Sequence, residues 1–262
     1  MAAPVTAMLE VREVAVRFGG VSALGGVSFA VAPGTVTSLI GPNGAGKTTA
    51  FNVITGFQRP SAGRVSHEGV AITGWRPHRI AERGVVRTFQ KTSVFPGLTV
   101  MDNVLTGLHL RGRVGVAAVL LARGRVRDEE RRLRQEAERV IEFVGLGRRR
   151  DELASVLSYG DQRLLELAVA LGAQPRLLLL DEPASGMTAS EKLAVAALIQ
   201  RIRQQGVTVF LVEHDMRLVM QISDCVLVLN YGRLIANGSA DEVQRNPDVI
   251  RAYLGAGARV DA

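Results

Sequence analysis

The 262-residue sequence predicts an α/β fold in which a helical segment separates two strand-rich parts. Three observations lead to this prediction. Residues 9–75 contain short runs of strand character that are broken by glycine and proline turns. Residues 99–173 instead have apolar positions at helical spacing. Further on, the helical run 189–205 lies between two apolar runs, 177–180 and 207–212, and this β-α-β order indicates a parallel sheet.

The first part is predicted to be built from short strands. Leu9–Phe18 alternates loosely between apolar and polar residues, and the pairs Gly19-Gly20 and Gly25-Gly26 are expected to break the strand pattern. Pro33-Gly34 is typical of a turn. The run that follows, Thr35–Ile40, is short and contains β-branched residues, which predicts a buried strand.

Helices dominate the middle of the chain, and strands return after it. Thr99 is expected to cap a helix that begins near Val100, and Asp128–Val144 predicts a charged helix with one apolar face. After this helical part we predict strands at Leu177–Leu180 and Val207–Val212 on either side of a helix at Ala189–Gln205. A hairpin of Cys225–Leu229 and Arg233–Ala236 follows. The chain then has two short helices, Ala240–Gln244 and Pro247–Leu254.

The composition argues against several classes of protein. Hydrophobic residues make up 47% and charged residues 22% of the chain, which is typical of a folded globular protein. The longest apolar stretch, Val114–Ala122, is far shorter than the roughly 20 residues that span a bilayer. Met1–Leu9 has no basic residue, so no signal peptide is expected. The single cysteine, Cys225, allows no internal disulfide and suits a reducing compartment.

The net charge of +7 is concentrated in one segment. Residues 111–150 contain twelve arginines and six acidic residues, a net +6, with one aromatic residue, Phe143. Nucleic-acid surfaces usually combine basic with aromatic side chains, so nucleic acid is not expected as a partner. Two interpretations stay open. The segment is either a solvated helix with paired charges, or its apolar stretch Val114–Ala122 lies close to the bilayer or a membrane partner. In the second case anionic headgroups would attract the flanking arginines, among them Arg123, Arg125 and Arg127.

A glycine-rich run follows the predicted strand Thr35–Ile40 and opens a helical stretch. Its pattern, G-x4-G-K-T in a strand–loop–helix context, is that of a phosphate-binding loop, or P-loop. Glycines let backbone N–H groups turn toward phosphate oxygens, and the positive end of the helix faces the same anion. Lys47 is predicted to contact the β- and γ-phosphates, and Thr48 to bind Mg²⁺. The predicted phosphate-binding residues are Gly41, Asn43, Gly44, Ala45, Gly46, Lys47, Thr48 and Thr49.

Two acidic residues follow another apolar strand. Leu177–Leu180 leads directly into Asp181 and Glu182. Beside a P-loop, Asp181 is predicted to hold Mg²⁺, usually through water, and Glu182 to polarise the attacking water. Without the P-loop, a pair of solvated loop acids would be an equally good interpretation.

A third motif points to a family. Leu157-Ser158-Tyr159-Gly160-Asp161 opens a helix, where a serine hydroxyl, backbone N–H groups and the helix N-terminus form a second anion site. With the two motifs above, the chain resembles the ATPase subunits of ABC transporters, whose signature is L-S-G-G-Q. The resemblance implies a head-to-tail dimer. Each ATP would lie between the P-loop of one chain and Ser158, Tyr159, Gly160 and Asp161 of the other.

The same resemblance implies a fold and further site residues. The fold is a P-loop NTPase core with a mixed sheet and an N-terminal antiparallel part, formed by 1–95 and 175–262, with a helical subdomain at 96–174, in one domain over 1–262. Gln90 matches a glutamine that contacts Mg²⁺ and the attacking water, and His214 matches a histidine that contacts the γ-phosphate. Phe18 matches the aromatic residue that stacks on adenine, while Ser185 and Thr188 match the family's D-loop. The other histidines match no family position and are expected to be solvated: His67, His78 and His109.

Three positions depart from the general ABC pattern. Asp161 replaces glutamine and adds negative charge near a γ-phosphate, and Thr188 replaces an aspartate of the D-loop. Tyr159 needs a backbone geometry that glycine takes more easily. Tyrosine is nevertheless common there in one subgroup, the branched-chain amino acid importers, which the runs Phe51–Phe57 and Gly238–Leu254 also resemble. We expect ATP hydrolysis to survive these departures.

The subgroup resemblance, specifically to the first of its two ATPase subunits, implies a set of partners. They are a paralogous ATPase or a second copy of the chain, two membrane permeases and, indirectly, an extracytoplasmic solute-binding protein. The chain would then hydrolyse ATP with Mg²⁺ at the cytoplasmic face of the membrane. The solute stays open, since the subgroup also imports urea, amides and other small solutes. Two alternatives are an ATPase of a lipid or polysaccharide exporter and a soluble ABC ATPase. A single cassette without a long coiled-coil insertion disfavours the soluble class.

Overall fold

The computed structural model describes residues 6–88, 94–108 and 123–257, except for the side chains of 123–126 and 254–257. The predictions for Gln90, His109 and Val114–Ala122 lie outside these residues, as do those for the side chains of Arg123 and Arg125. Across the described ranges, no helix is long and apolar enough to cross a bilayer.

The N-terminal part forms a four-stranded antiparallel sheet in the order β2-β1-β4-β5. Its strands are β1 (Leu9–Phe18), β2 (Val21–Val31), β4 (Ala62–His67) and β5 (Val70–Ala71). The prediction of a break at Gly25-Gly26 is wrong, because β2 continues through both glycines. Val14 pairs with Val27 and Ala15 with Gly25, so Gly26, with a φ of 83°, is the extra residue of a β-bulge.

A second, six-stranded sheet has the order β10-β9-β3-β8-β7-β6. Its strands are β3 (Val36–Ile40), β6 (Val85–Arg87), β7 (Leu177–Asp181), β8 (Thr208–Val212), β9 (Cys225–Asn230) and β10 (Arg233–Gly238). All pairs are parallel except the β9–β10 hairpin, which confirms the predicted β-α-β unit. Strands β3, β7 and β8 are buried along their whole length. Because the carboxyl ends of parallel strands meet at one edge, the segments after these three strands come together there.

The helices lie close to their predicted positions. They are α1 (Lys47–Ile54), α2 (Pro77–Glu82), α3 (Val100–Leu108), α4 (Arg123–Val144), α5 (Tyr159–Gly172), α6 (Ala189–Gln204), α7 (Met216–Ile222), α8 (Ala240–Arg245) and α9 (Pro247–Gly257), with 3-10 turns at Gly147–Arg149 and Ala154–Val156. The predicted cap of α3 is confirmed, since the Asp102 N–H donates to Thr99 Oγ1 at 3.0 Å. Phe51 of α1 and Phe29 of β2 both pack on Phe210 of β8, with ring centroids 5.1 and 5.6 Å apart. One apolar core therefore joins α1 to both sheets.

The described residues form two compact units. The sheet unit comprises those within Met1–Arg87, Arg176–Ser185 and Lys192–Ala262, and the helical unit those within Thr88–Pro175 and Gly186–Glu191. In the helical unit, the fully buried Asn103 donates to the carbonyl oxygens of Phe95 and Thr99 at 3.1 and 2.9 Å. It thereby fixes the segment that leads into α3. The division of the chain at residues 95 and 174 that the family resemblance implies stays a prediction.

The expectation that His67 is solvated is wrong. The ring lies fully buried on β4, with Nδ1 2.8 Å from the carbonyl oxygen of Met8. Burial lowers the pKa of His67. The partner lies 59 residues away in the sequence, so only the folded sheet reveals it. His78 is exposed, as expected.

Candidate functional site: a nucleotide site at the ends of parallel strands

The glycine-rich run joins β3 to α1, as the sequence predicts. A side chain at Gly41 would clash with the carbonyl oxygen of Leu229 on β9. One at Gly46, where φ is 104°, would lie 2.7 Å from the carbonyl oxygen of Ala23 on β2. The loop is thus seated against two strands, and only glycine fits where it touches them. Several of its residues face solvent: Asn43, Gly44 and Thr48.

The beginning of α1 is free to receive an anion. Gly46 occupies the N-cap position, and among the described residues no side chain caps the first turn. The uncapped N–H groups and the helix dipole favour a phosphate there. Lys47 Nζ donates to the carbonyl oxygens of Gly41 and Pro42 at 2.6 and 3.0 Å, so its cation lies over the loop. Burial lowers the pKa of Lys47, and the charges of Glu182 and Asp181 oppose this shift.

Asp181 ends β7 and is held by an arginine. Arg87, at the end of β6, donates through Nη2 to Asp181 Oδ2 at 2.7 Å and through Nη1 to Asn52 Oδ1 of α1 at 2.6 Å. The two charged side chains are 6% and 1% exposed. The guanidinium also lies 5.5 Å from the ring centroid of Phe51. The carboxylate predicted to hold Mg²⁺ is therefore fixed in place by a buried ion pair.

The two predicted catalytic groups of the sheet unit lie side by side. Glu182 follows β7, His214 follows β8, and the Nδ1 atom of His214 lies 3.6 Å from Glu182 Oε1. The histidine side chain is 60% exposed and the carboxylate 26% exposed, so both can reach a bound molecule. Glu182 has a φ of 51°, in the left-handed region that costs a non-glycine residue roughly 1 kcal/mol. Its N–H donates to the carbonyl oxygen of Val212 at 2.9 Å, which holds this conformation.

Three residues that support this edge carry no role in the sequence-based interpretation. Arg87 is described above, and Glu213 lies fully buried between the loops after β7 and β8. Asp215 caps α7 and accepts from Lys192 Nζ at 2.6 Å, which lowers the pKa of Asp215. One signal was available in the sequence. An acidic residue placed directly between a continuous apolar strand and His214 needs a buried partner.

Two aromatic residues of the sheet unit, Phe18 and Tyr253, come from different ends of the chain. Phe18 ends β1 and is 51% exposed, so its ring is available for stacking on a base, the role predicted for it. Tyr253 of α9 packs on the cluster that contains Ile40, the last residue of β3. Burial raises the pKa of Tyr253, and a hydrogen bond from the Gly41 backbone opposes this shift. The C-terminal helix therefore supports the first glycine of the P-loop.

In the helical unit, Ser158 and Asp161 close the start of α5. Ser158 is the N-cap residue and accepts from the Asp161 N–H at 3.1 Å. Its hydroxyl donates to Asp161 Oδ2 at 2.7 Å. Arg149 Nη1 lies 3.5 Å from the same carboxylate oxygen. The negative charge that Asp161 adds to this motif thus faces a cation of the same unit.

Tyr159 is accommodated without left-handed geometry. Tyr159 is the first residue of α5, and its φ angle is not positive. Its hydroxyl accepts a hydrogen bond from Arg163 Nε at 3.1 Å. The expected need for glycine-like geometry is therefore wrong. A side chain on the following Gly160 would clash with the carboxylate of Glu191.

The two residues predicted to belong to the D-loop lie in different units. Thr188 Oγ1 donates to Glu191 Oε2 at 2.7 Å, and the Thr188 N–H donates to the same atom at 2.8 Å. The Glu191 N–H donates in return to Thr188 Oγ1 at 3.4 Å, which completes a capping box at the start of α6. The Ser185 N–H, in the sheet unit, donates to the carbonyl oxygen of Glu182 at 3.2 Å.

These features define a class of protein. A P-loop after the first strand of a parallel sheet, with a strand-end aspartate and glutamate beside its lysine, is the site of a P-loop nucleotide-binding protein. Comparison with known proteins then defines the family. Residues 24–185 match the family model described as ABC transporter, and residues 233–259 match that of the branched-chain amino acid ATP-binding cassette transporter. The chain belongs to the ABC transporter family and is an ABC-type ATPase.

Relatives and solved structures agree with this assignment. The chain is 43% identical to the high-affinity branched-chain amino acid transport ATP-binding protein BraF of Pseudomonas aeruginosa, over 95% of this chain and 98% of BraF. It is 42% identical to LivG of Escherichia coli, which has the same description, with the same coverage. An ATP-binding cassette of an ABC transporter solved in its ADP conformation is 32% identical, with a TM-score of 0.84 over 95% of this chain and 99% of that one.

Proposed function

We propose that this chain is the ATP-hydrolysing subunit of an importer of branched-chain amino acids or a closely related small solute. The observation that carries the proposal is the similarity to BraF and LivG along almost the whole chain, together with the C-terminal family match at 233–259. The P-loop and the acids after β7 supply the chemistry that such a subunit needs.

The side chains of the sheet unit suggest how ATP is hydrolysed. Lys47 exchanges its bonds to the loop carbonyls for the β- and γ-phosphate oxygens. Glu182 accepts a proton from the attacking water as its oxygen bonds to the γ-phosphorus and the bond to the ADP oxygen breaks. His214, 3.6 Å from Glu182, donates to the γ-phosphate and keeps the water between the two groups. Phe18 stacks on the adenine. Gln90 is assigned to the water by family resemblance alone.

The donor set of the site fits a magnesium ion. Thr48 offers a hydroxyl and Asp181 a carboxylate, and Mg²⁺ prefers such oxygen ligands and commonly combines one or two carboxylates with substrate phosphates. Asp181 is oriented in advance by Arg87, with 2.7 Å between the paired atoms. Thr48 and Asp181 would hold the ion, which would supply positive charge against the negative charge that develops on the phosphates.

We further propose a head-to-tail dimer, with a second copy or a paralogous ATPase. The start of α5 supports this assignment because Ser158, Tyr159, Gly160 and Asp161 sit on a helix N-terminus that favours an anion. Ser158 would turn its hydroxyl from Asp161 to the γ-phosphate bound by the other chain. Arg149 then remains beside the Asp161 carboxylate.

Exposed apolar side chains of the helical unit support docking to a permease. The segments that carry them are joined by hydrogen bonds from the Ala154 N–H to the Leu98 oxygen and from the Ser155 N–H to the Pro96 oxygen, at 2.9 and 3.1 Å. Contiguous exposed apolar surface marks contact sites for other proteins. The side chains are Phe95, Leu98, Leu153 and Val156. Two permeases docked in this way would hold the ATPase at the cytoplasmic face of the membrane, and a solute-binding protein would act on the far side.

Reconstitution tests the proposal. The chain is assembled with its ATPase partner and the two permeases in liposomes, and phosphate release is measured with the binding protein free or loaded with leucine. We expect loaded binding protein to raise ATP hydrolysis several-fold and to drive leucine uptake, with both lost in Glu182→Gln. Hydrolysis without any response to leucine or to another branched-chain amino acid would refute the importer and leave the ATPase. Absence of hydrolysis would refute both.

A further inference from the structure

Glu213 is a buried carboxylate at the edge of the six-stranded sheet where the carboxyl ends of the parallel strands meet. It follows β8 directly, precedes His214, and is 1% exposed. A carboxylate removed from water to this degree is strongly destabilising unless hydrogen bonds or a cation compensate it. In the part of the chain that the structure describes, its partners are backbone N–H groups, and no lysine, arginine or histidine nitrogen lies within ion-pair distance.

Each oxygen of this carboxylate serves a different loop. Oε1 accepts from the Ala184 N–H at 3.0 Å, in the loop that follows β7. Oε2 accepts from the His214 N–H at 3.1 Å, in the loop that follows β8, with the Asp215 N–H at 3.5 Å. A single side chain therefore joins the two loops that carry Glu182 and His214.

The position of both catalytic groups depends on these bonds. Ala184 is two residues beyond Glu182, whose φ of 51° needs support from its surroundings. His214 is the next residue after Glu213, so a fixed backbone N–H fixes the origin of the histidine side chain. The 3.6 Å separation of the two side chains follows from this fixed backbone.

We propose that Glu213 is a positioning residue that holds Glu182 and His214 in register for ATP hydrolysis. This inference rests on the ATPase function proposed above, and it adds a residue for which neither P-loop nor signature motif accounts. The carboxylate is required in this role because both of its oxygens accept. Glutamine keeps one acceptor but places an NH₂ group against the backbone N–H of the other loop.

The experiment compares variants of the full-length chain by steady-state ATP hydrolysis and by equilibrium binding of Mg-ATP. We expect Glu213→Gln to lower kcat by about tenfold to a hundredfold, since a small misplacement of catalytic groups has effects of this size. The affinity for Mg-ATP should change less than twofold, because Glu213 contacts the backbone and not the P-loop. Glu68→Gln is the matched control. It changes a partly buried carboxylate, paired with Arg176, in the turn between β4 and β5, and should leave kcat unchanged.

A double-mutant cycle separates positioning from general destabilisation. In a Glu182→Gln background, Glu213→Gln should lower the residual hydrolysis much less than it lowers that of the unmodified chain, because the part of its effect that acts through Glu182 is already lost. A full additional loss in that background would overturn the proposal. So would an unchanged kcat in the single variant, or a fall in kcat matched by loss of Mg-ATP binding and of the native unfolding transition. If the unmodified chain with its partners does not hydrolyse ATP, the proposed function fails instead.

Discussion

The buried ion pair between Arg87 and Asp181 leads to a quantitative prediction for stability. Its atoms lie 2.7 Å apart, which corresponds to about 6 kcal/mol of attraction at an effective dielectric constant of about 20. Desolvation offsets part of this, and removal of one partner from a buried pair typically costs about 3–5 kcal/mol. We therefore expect Arg87→Met, which keeps the aliphatic stem and removes the charge, to lower the free energy of unfolding by that amount.

Trp75 provides the assay, because it is the only tryptophan of the chain and lies in the sheet unit. Urea unfolding followed by its fluorescence should show a midpoint lowered by roughly 1–2.5 M, for a urea dependence of about 2–3 kcal/mol per molar. The double variant Arg87→Met/Asp181→Asn should regain most of the loss, since no charge is then left buried alone. Arg176→Met is the control: its side chain is 64% exposed in its pair with Glu68, and exposed pairs contribute about 1 kcal/mol or less.

Two results would refute the reasoning. One is a change below about 1 kcal/mol in Arg87→Met, which would mean that water or another group compensates Asp181 as well as the arginine does. The other is a double variant no more stable than the single one, which would place the loss in packing on Phe51 and not in the charge.

Three further predictions concern catalysis, base stacking and pH. Glu182→Gln should bind Mg-ATP normally in a filter or calorimetric assay and hydrolyse it at least a hundredfold more slowly; an unchanged rate would remove Glu182 as the base. Phe18→Ala should weaken ATP binding by about fivefold to a hundredfold, which is the usual effect of losing one stacked base. The control is Phe57→Ala, which removes another exposed phenylalanine and should leave ATP binding unchanged. Equal effects of the two substitutions would contradict stacking by Phe18. The lowered pKa of His67 means that the unfolded chain takes up its proton first as pH falls below about 6.5. Stability should then fall by up to about 1.4 kcal/mol per pH unit until the folded-state pKa is reached, and urea midpoints of His67→Asn should show less of this loss.

The parts of the site that the sequence predicts are those with contiguous signals. The P-loop is a continuous run of nine residues, and Asp181 and Glu182 directly follow an apolar strand. The P-loop and the two acids could therefore be predicted from residue spacing alone. The position of Glu213 indicates an acid that needs a buried partner, but the partners of Glu213 and of Arg87 could not be predicted. They depend on which strands are neighbours: β7 beside β8 for Glu213, and β6 beside β7 for Arg87. When two parallel strands are neighbours in the sheet but far apart in the sequence, the hydrophobic pattern of the chain does not reveal that they pair.

Two of the wrong expectations, those for Gly25-Gly26 and His67, have the same physical origin. Gly25-Gly26 interrupts a strand pattern locally, yet pairing with β1 carries β2 through it as a bulge. His67 is a polar residue that nothing in the sequence marks as buried, yet the carbonyl oxygen of Met8 is its hydrogen-bond partner inside the sheet. In each case a long-range contact outweighs the local preference.

The departures from the ABC pattern are balanced within the helical unit itself. The Asp161 carboxylate accepts a hydrogen bond from the Ser158 hydroxyl, and its Oδ2 atom lies 3.5 Å from Arg149 Nη1. The negative charge of Asp161 is therefore partly compensated within the helical unit. Thr188 uses its hydroxyl and backbone N–H to cap α6 through Glu191, and the same carboxylate lies where a side chain on Gly160 would clash. The signature helix and the D-loop threonine are thus joined through one glutamate. In the proposed dimer, where Ser158 contacts the nucleotide of the other chain, Glu191 would connect that contact to the start of α6 by direct packing, in place of the aspartate that the family usually has there.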